Sequence, residues 1–151
     1  GLGDVYKRQE NIQTKFINGL RVTNEKVISI VEEVLIDFNK DIVNSLKKLG
    51  SEAASFHTKT DNVIEVKPER AELGFVGIPN KIKTNVLNEI IKTNRVPVIA
   101  PLGINENNRT FNINADTAAG ALARSMKSRR LMLMTDVEGV YDKNKKLINE
   151  K

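Results

Sequence analysis

"TFNINADTAAGALA", Thr110 to Ala123, joins a polar, Asn-rich turn to an alanine-rich helix. Ala115, Ala118, Ala119, Leu122 and Met126 fall on one helical stripe. Their small side chains allow that helix to lie close against a sheet. "TFNI" reads as a short strand or extended approach. A strand that feeds a helix through a polar turn is a building unit of layered α/β folds. Asn114 is the better candidate for the helix N-cap. Asp116 then has two readings. It complements the helix dipole in the first turn, or, free of capping duty, it faces a ligand. Asn112 also has two readings, because asparagine is favoured in turns for its bonds to nearby backbone.

Working outward, "RVPVIAPLG" (Arg95 to Gly103) is a near-continuous apolar run and predicts a strand buried on both faces, as a parallel sheet requires. Pro97 weakens that strand, since it cannot donate to a ladder. "INENNRT" is a polar turn. Downstream, "LMLMTD" (Leu131 to Asp136) predicts another buried strand, running into the Gly-containing loop "DVEGVYD". Upstream, Val27, Ile28, Val31, Val34 and Leu35 recur at helical spacing after a cap at Thr23 or Asn24. Ile42, Val43, Leu46 and Leu49 form a second stripe, with Gly50 at the position where helices commonly end. "EAASFH", "NVIEVK" and "ELGFVG" read as extended. A third helix fits Thr84 to Thr93, with Val86, Leu87, Ile90 and Ile91 inward and Asn94 at its end. Alternating helices and strands predict an α/β fold with a mostly parallel sheet.

Composition narrows the function. The 151 residues are 40% hydrophobic and 28% charged, which suits one globular domain or a piece of a larger one. Aromatics are 5% and tryptophan is absent, so the core is aliphatic. The formal charge of +5 is spread among acids, without the aromatic-basic interleaving of a nucleic-acid surface. A phosphorylated substrate suits a mildly basic protein equally well. The absence of cysteine removes disulfides, thiolate metal sites and Cys nucleophiles, and is compatible with a reducing cytosol. No apolar run is long enough for a membrane span. Residues 1–9, "GLGDVYKRQ", read as foreign to the rest of the chain, and both ends of the chain read as cut.

Ligands in open α/β sheets gather beyond the carboxyl ends of strands. Two such loops are polar here. One runs from "VPVIAP" to Asn112, Asn114 and Asp116. The other holds Thr135, Asp136 and Gly139. Arg21, in "NGLRVT", stands beside a helix start and either clamps a carboxylate or lies on the surface. His57, the single histidine, has no evident partner in sequence and reads as incidental. Gly74 and Gly77 in "LGFVG" are too few for a phosphate-cradling loop and read as a tight turn or bulge.

Taken together, "FINGLRVTNEK", "ELGFVGIPNKI", "VPVIAPLG", "TFNINADTAAGALA" and "LMLMTDVEGVYD" resemble, in order and spacing, the acetylglutamate kinases of the amino-acid kinase family. The resemblance covers residues 10–151, a partial amino-acid kinase domain. It implies a three-layer αβα sandwich and transfer of the γ-phosphoryl group of ATP, with Mg²⁺, to the side-chain carboxylate of N-acetyl-L-glutamate. The product would be an acyl phosphate on the route to arginine. Arg21 would bind a substrate carboxylate and Asn112 the substrate's main carboxylate region. Asp116 would organise cationic groups around the transferred phosphoryl. Asp136, Val137, Glu138, Gly139, Val140 and Tyr141 would line the nucleotide pocket. No dedicated protein ligand for a metal is implied. A cytoplasmic enzyme is expected, homo-oligomeric when full length, with neither nucleic acid nor membrane as partner.

Two departures matter. The family's phosphate loop and first catalytic lysine fall upstream of residue 10, and its second catalytic lysine downstream of residue 151. The chain is therefore expected to be the enzyme's middle, inactive alone. "HTKTDN" (57–62) stands where the family tends to have a glycine-containing turn. The alternatives are a kinase for a related acidic amino acid, such as an aminoadipate derivative, and a non-catalytic ligand-binding module of the same fold.

Overall fold

The computed structural model describes residues 16, 17 and 20–134, with side chains from Val22 onward. Two short strands, β1 (Phe16–Ile17) and β2 (Leu20–Arg21), pair antiparallel. The next two apolar stripes lie on one uninterrupted helix, α1 (Glu25–Lys48). Asn24 caps it: its side-chain oxygen accepts the Val27 N–H at 2.9 Å. Glu25 in the first turn and Lys47 and Lys48 in the last complement the dipole. Gly50, at φ +83°, ends it. The Ser51 N–H then reaches back to the Leu46 carbonyl and the Gly50 N–H to that of Lys47, both at 3.0 Å.

The other two helices end the same way. In α2 (Thr84–Lys92) the left-handed residue is Asn94, and in α3 (Ala115–Ser125) it is Lys127. Only Leu87 of α2 is wholly buried. Val86 and Ile91, expected inward, are exposed, because α2 packs chiefly on a single strand, β6 (Val96–Ile99). On α3, Ala118 is buried while Ala119, Leu122 and Met126 are half-buried; Ala115 is exposed.

β6 pairs in parallel with β3 (Ala53–Phe56), Phe56 opposite Ile99. A second sheet has the order β5 (Gly77–Ile82), β4 (Ile64–Pro68), β7 (Leu102–Ile104), β8 (Thr110–Asn112). Within it β4 and β7 run parallel, while β4–β5 and β7–β8 are antiparallel. The expected single strand "RVPVIAPLG" is thus two, β6 and β7, in different sheets. The Leu102 N–H donates to the Ala100 carbonyl at 2.8 Å, a three-residue turn centred on Pro101 that passes the chain between them. Nor is β6 buried on both faces: Val96 is 44% exposed and the rest half-buried.

Two hydrophobic clusters flank the strands. Val27, Ile28, Val31, Leu35 and Ile36 of α1 meet Ala100 and Leu102. Leu87 of α2 and Ala118 of α3 join Phe56, Ile64, Val66, Phe111 and Ile113. Phe75 packs against both clusters. Helices therefore cover the strands from two sides, and the α/β, αβα class holds.

The expected strand at 131–136 is not present in its described part. Leu131 to Met134 carry no strand pairing and are exposed, Met134 by 97%. A run of apolar residues states a preference for burial. It does not by itself supply a ladder partner, and among the described residues none pairs with it.

Candidate functional site

Three motifs far apart in sequence meet through backbone hydrogen bonds. The Thr23 N–H donates to the Leu73 carbonyl at 2.9 Å, and the Phe75 N–H returns to the Thr23 carbonyl at 2.7 Å. The Asn112 N–H then donates to the Phe75 carbonyl at 2.9 Å, with Val76 bridged to Asn112. "LRVT", "LGFVG" and "TFNIN" are thereby locked in one layer. Thr23 is wholly buried there.

Gly74 makes the lock possible. Its φ is +68°, and a Cβ on it would stand 2.3 Å from the Thr23 carbonyl oxygen. Only glycine accepts both that backbone angle and that approach. The reading of Gly74 as part of a tight turn is correct, and its purpose is contact with the segment that carries Arg21.

Arg21 lies in β2, opposite Phe16, two positions before Thr23. Asn112 ends β8, its backbone held by Phe75 on one side and paired with Leu102 on the other. The Ile113 N–H donates to the Pro101 carbonyl at 2.9 Å. Asn114 is the N-cap of α3: its side-chain oxygen accepts the Thr117 N–H at 3.0 Å and the Thr117 hydroxyl at 3.2 Å. Asp116 is consequently not the cap. It stands in the first turn of α3, exposed, with no hydrogen bond or ion pair to a described residue. A carboxylate left free at a helix start is able to orient cations, and here it stands just beyond the Asn112 segment. The structure brings together the backbone segments of Arg21 and Asn112 with the α3 start. Asp136 to Tyr141 lie outside the described residues.

Sequence reasoning missed a polar network beside this layer. Glu32, only 16% exposed at its side chain, accepts hydroxyl hydrogen bonds from Thr58 and, at 2.9 Å, from Thr110. Lys59 approaches it at 3.9 Å. Arg109 pairs with Glu25 in the first turn of α1 and stacks over the Phe75 ring, 5.0 Å from its centroid. Phe75 in turn packs on Phe111, 5.5 Å between centroids. The available signal was the row Ile28, Glu32, Ile36, where a carboxylate interrupts a buried face.

His57 is buried, and its Nδ1 accepts the Lys59 N–H at 3.3 Å. Burial pushes its pKa down from 6.5, and Lys40 and Lys59 add to the shift while Glu32 opposes it. Among the described residues no group of three or more His, Asp or Glu is arranged to hold a metal ion. A groove of about 900 Å³ on the β4–β7 side, lined by Asn62, Lys67, Lys83 and Asn105, contains none of the candidate residues. No described helix is long and apolar enough to cross a membrane.

The sequence pattern of the amino acid kinase family matches residues 1–151. The acetylglutamate kinase of Pelagibacter ubique is 56% identical over 140 residues, covering 93% of this chain and 49% of that protein. The acetylglutamate kinase of Rhodospirillum rubrum is 45% identical, covering 92% and 49%. The chain spans about half the length of these relatives. Among solved structures, smu.665 from Streptococcus mutans superposes with a TM-score of 0.85 at 28% identity, over 93% of this chain and 58% of that one. An N-acetylglutamate synthase from Neisseria gonorrhoeae gives 0.80 at 19% identity, over 97% and 35%, a likeness of fold alone.

Proposed function

The chain belongs to the amino acid kinase family, and from that premise we propose that it is the acceptor-binding middle of an acetylglutamate kinase. The observation that carries this reading is the backbone relay from Thr23 through Phe75 to Asn112, set in front of a helix start whose carboxylate is unengaged. In the proposed reaction, the side-chain carboxylate of N-acetyl-L-glutamate attacks the γ-phosphorus of ATP, and ADP leaves. The product is N-acetylglutamyl 5-phosphate, on the route to arginine. The attacking carboxylate is already an anion, so no general base is required. The protein's work is positioning and charge neutralisation. Bound ATP and Mg²⁺ supply the phosphoryl group and part of that neutralisation. Arg21 clamps a carboxylate of the acceptor, Asn112 holds its main carboxylate region, and Asp116 orients cationic side chains without taking a proton. The nucleotide would lie along Asp136 to Tyr141. We place the enzyme in the cytoplasm and expect a homo-oligomer.

The test traps acyl phosphate with hydroxylamine in full-length protein containing this segment. Asp116→Asn should lower kcat by about 10²-fold while KM for ATP changes little. Equal losses in kcat and ATP affinity would make Asp116 structural. The 151-residue chain alone should give no trapped product, because the two phosphate-facing lysines expected of the family lie outside it. Turnover by it would refute that.

A further inference from the structure

We infer that Glu32 is a positioning residue for the acceptor site, acting through Thr110 on Asn112. This role rests on the chain being part of an acetylglutamate kinase.

Glu32 lies on the core-facing row of α1, between Ile28 and Ile36, both buried. A carboxylate there loses much of its hydration, which is costly unless hydrogen bonds replace the water. They do: the Thr58 and Thr110 hydroxyls both donate to the same Glu32 oxygen, Oε1. Lys59 stands 3.9 Å from the other oxygen. Glu32 thus ties α1 to the turn after β3 and to the first residue of β8.

β8 has three residues, and Asn112 is its last. Fixing Thr110 therefore fixes Asn112 with little slack. The neighbouring Arg109 is held to the same helix through Glu25, and it stacks on Phe75, whose carbonyl receives the Asn112 N–H. Both clamps sit in the first half of α1, on the side that continues directly from Arg21. The backbone relay through Phe75 joins the Arg21 segment to Asn112, and these two polar ties hold that spacing against α1. An acceptor contacted by both Arg21 and Asn112 is sensitive to that spacing.

The test uses full-length protein containing this segment, with trapped acyl phosphate as readout and a thermal midpoint for each variant. Thr110→Val removes the hydroxyl at nearly constant shape and keeps a β-branched residue in the strand; Thr110→Ser keeps the hydroxyl. The expected result is an acceptor KM raised about fivefold by Thr110→Val, with KM for ATP within about twofold of the parent. Thr110→Ser should behave as the parent. Adding Glu32→Gln to Thr110→Val should raise the acceptor KM little further, since the two residues act through one bond. An unchanged acceptor KM in Thr110→Val, or equal rises in both KM values, overturns the inference. Asn112→Ala serves as the control. If it raises acceptor KM and Thr110→Val does not, positioning alone is wrong; if Asn112→Ala has no effect, the acceptor-site reading fails and the inference with it.

Discussion

Gly74 and Thr23 are in backbone contact: a side-chain carbon on Gly74 would reach 2.3 Å from the Thr23 carbonyl oxygen. The contact is also hydrogen-bonded, through the flanking Leu73 carbonyl and Phe75 N–H. Everything proposed for the acceptor site depends on this closeness, because Thr23 ends the Arg21 segment and Phe75 holds Asn112.

Gly74→Ala should therefore lower stability by at least about 3 kcal/mol, combining left-handed strain with a backbone clash. Gly50 supplies the comparison. It too has a positive φ, +83°, but nothing lies within 4 Å of its missing Cβ. Gly50→Ala should cost only about 1 kcal/mol. Urea denaturation of both variants checks this, and equal losses would mean that the Thr23 contact contributes nothing beyond the backbone angle.

Asn39 is the second polar residue on the buried face of α1, 2% exposed. Its amide donates to the Val98 carbonyl of β6 at 2.9 Å, and its oxygen accepts the Ser55 hydroxyl of β3. One side chain thus grips both strands of the parallel pair. Asn39→Ala removes both bonds and takes the acceptor from the Ser55 hydroxyl, and should cost about 2 kcal/mol. In a double-mutant cycle, Ser55→Ala should cost less in the Asn39→Ala background than in the parent. Additive losses would show that the bond carries no net stability.

Local chemistry made the helices legible. Asn24 and Asn114 cap, and Gly50 and Asn94 terminate, for reasons fixed within a few residues of each. The α/β class came from the same local alternation. Long-range pairing was not legible. The turn at Pro101 that splits one apolar run into β6 and β7 depends on which strands receive each half. The exposed Leu131 to Met134 show the converse, an apolar run without a described partner. At the site, Asn112 and Asp116 stood out because polar residues at a strand-to-helix turn are conspicuous. Glu32 and Thr110 did not, since a lone glutamate in a charged helix looks like surface until the fold turns it inward.

Asn114 and Asp116 share one helix start but should separate experimentally. Asn114→Ala removes the acceptor of the Thr117 N–H and should lower stability by about 1 kcal/mol. Asp116→Asn removes only an exposed charge near the helix dipole and should cost no more than about 0.5 kcal/mol. Thermal or urea unfolding measures both. A larger loss from Asp116→Asn would give the carboxylate a structural duty.

His57 predicts a specific pH dependence of stability. Burial, with Lys40 and Lys59 nearby, lowers its folded pKa below the unfolded 6.5, against a smaller opposing pull from Glu32. Above both values the imidazole is neutral in either state and contributes nothing to the pH dependence. As pH falls through 6.5, the unfolded chain takes up the proton first, so unfolding is favoured and stability drops. His57→Asn keeps an oxygen able to accept the Lys59 N–H and cannot titrate there. Urea midpoints measured between about pH 7.5 and pH 5.5 should fall more steeply for the parent than for His57→Asn. The variant's absolute stability is free to differ; the slope is the readout. Parallel slopes would mean that the buried imidazole is protonated in the folded protein as readily as in the unfolded chain.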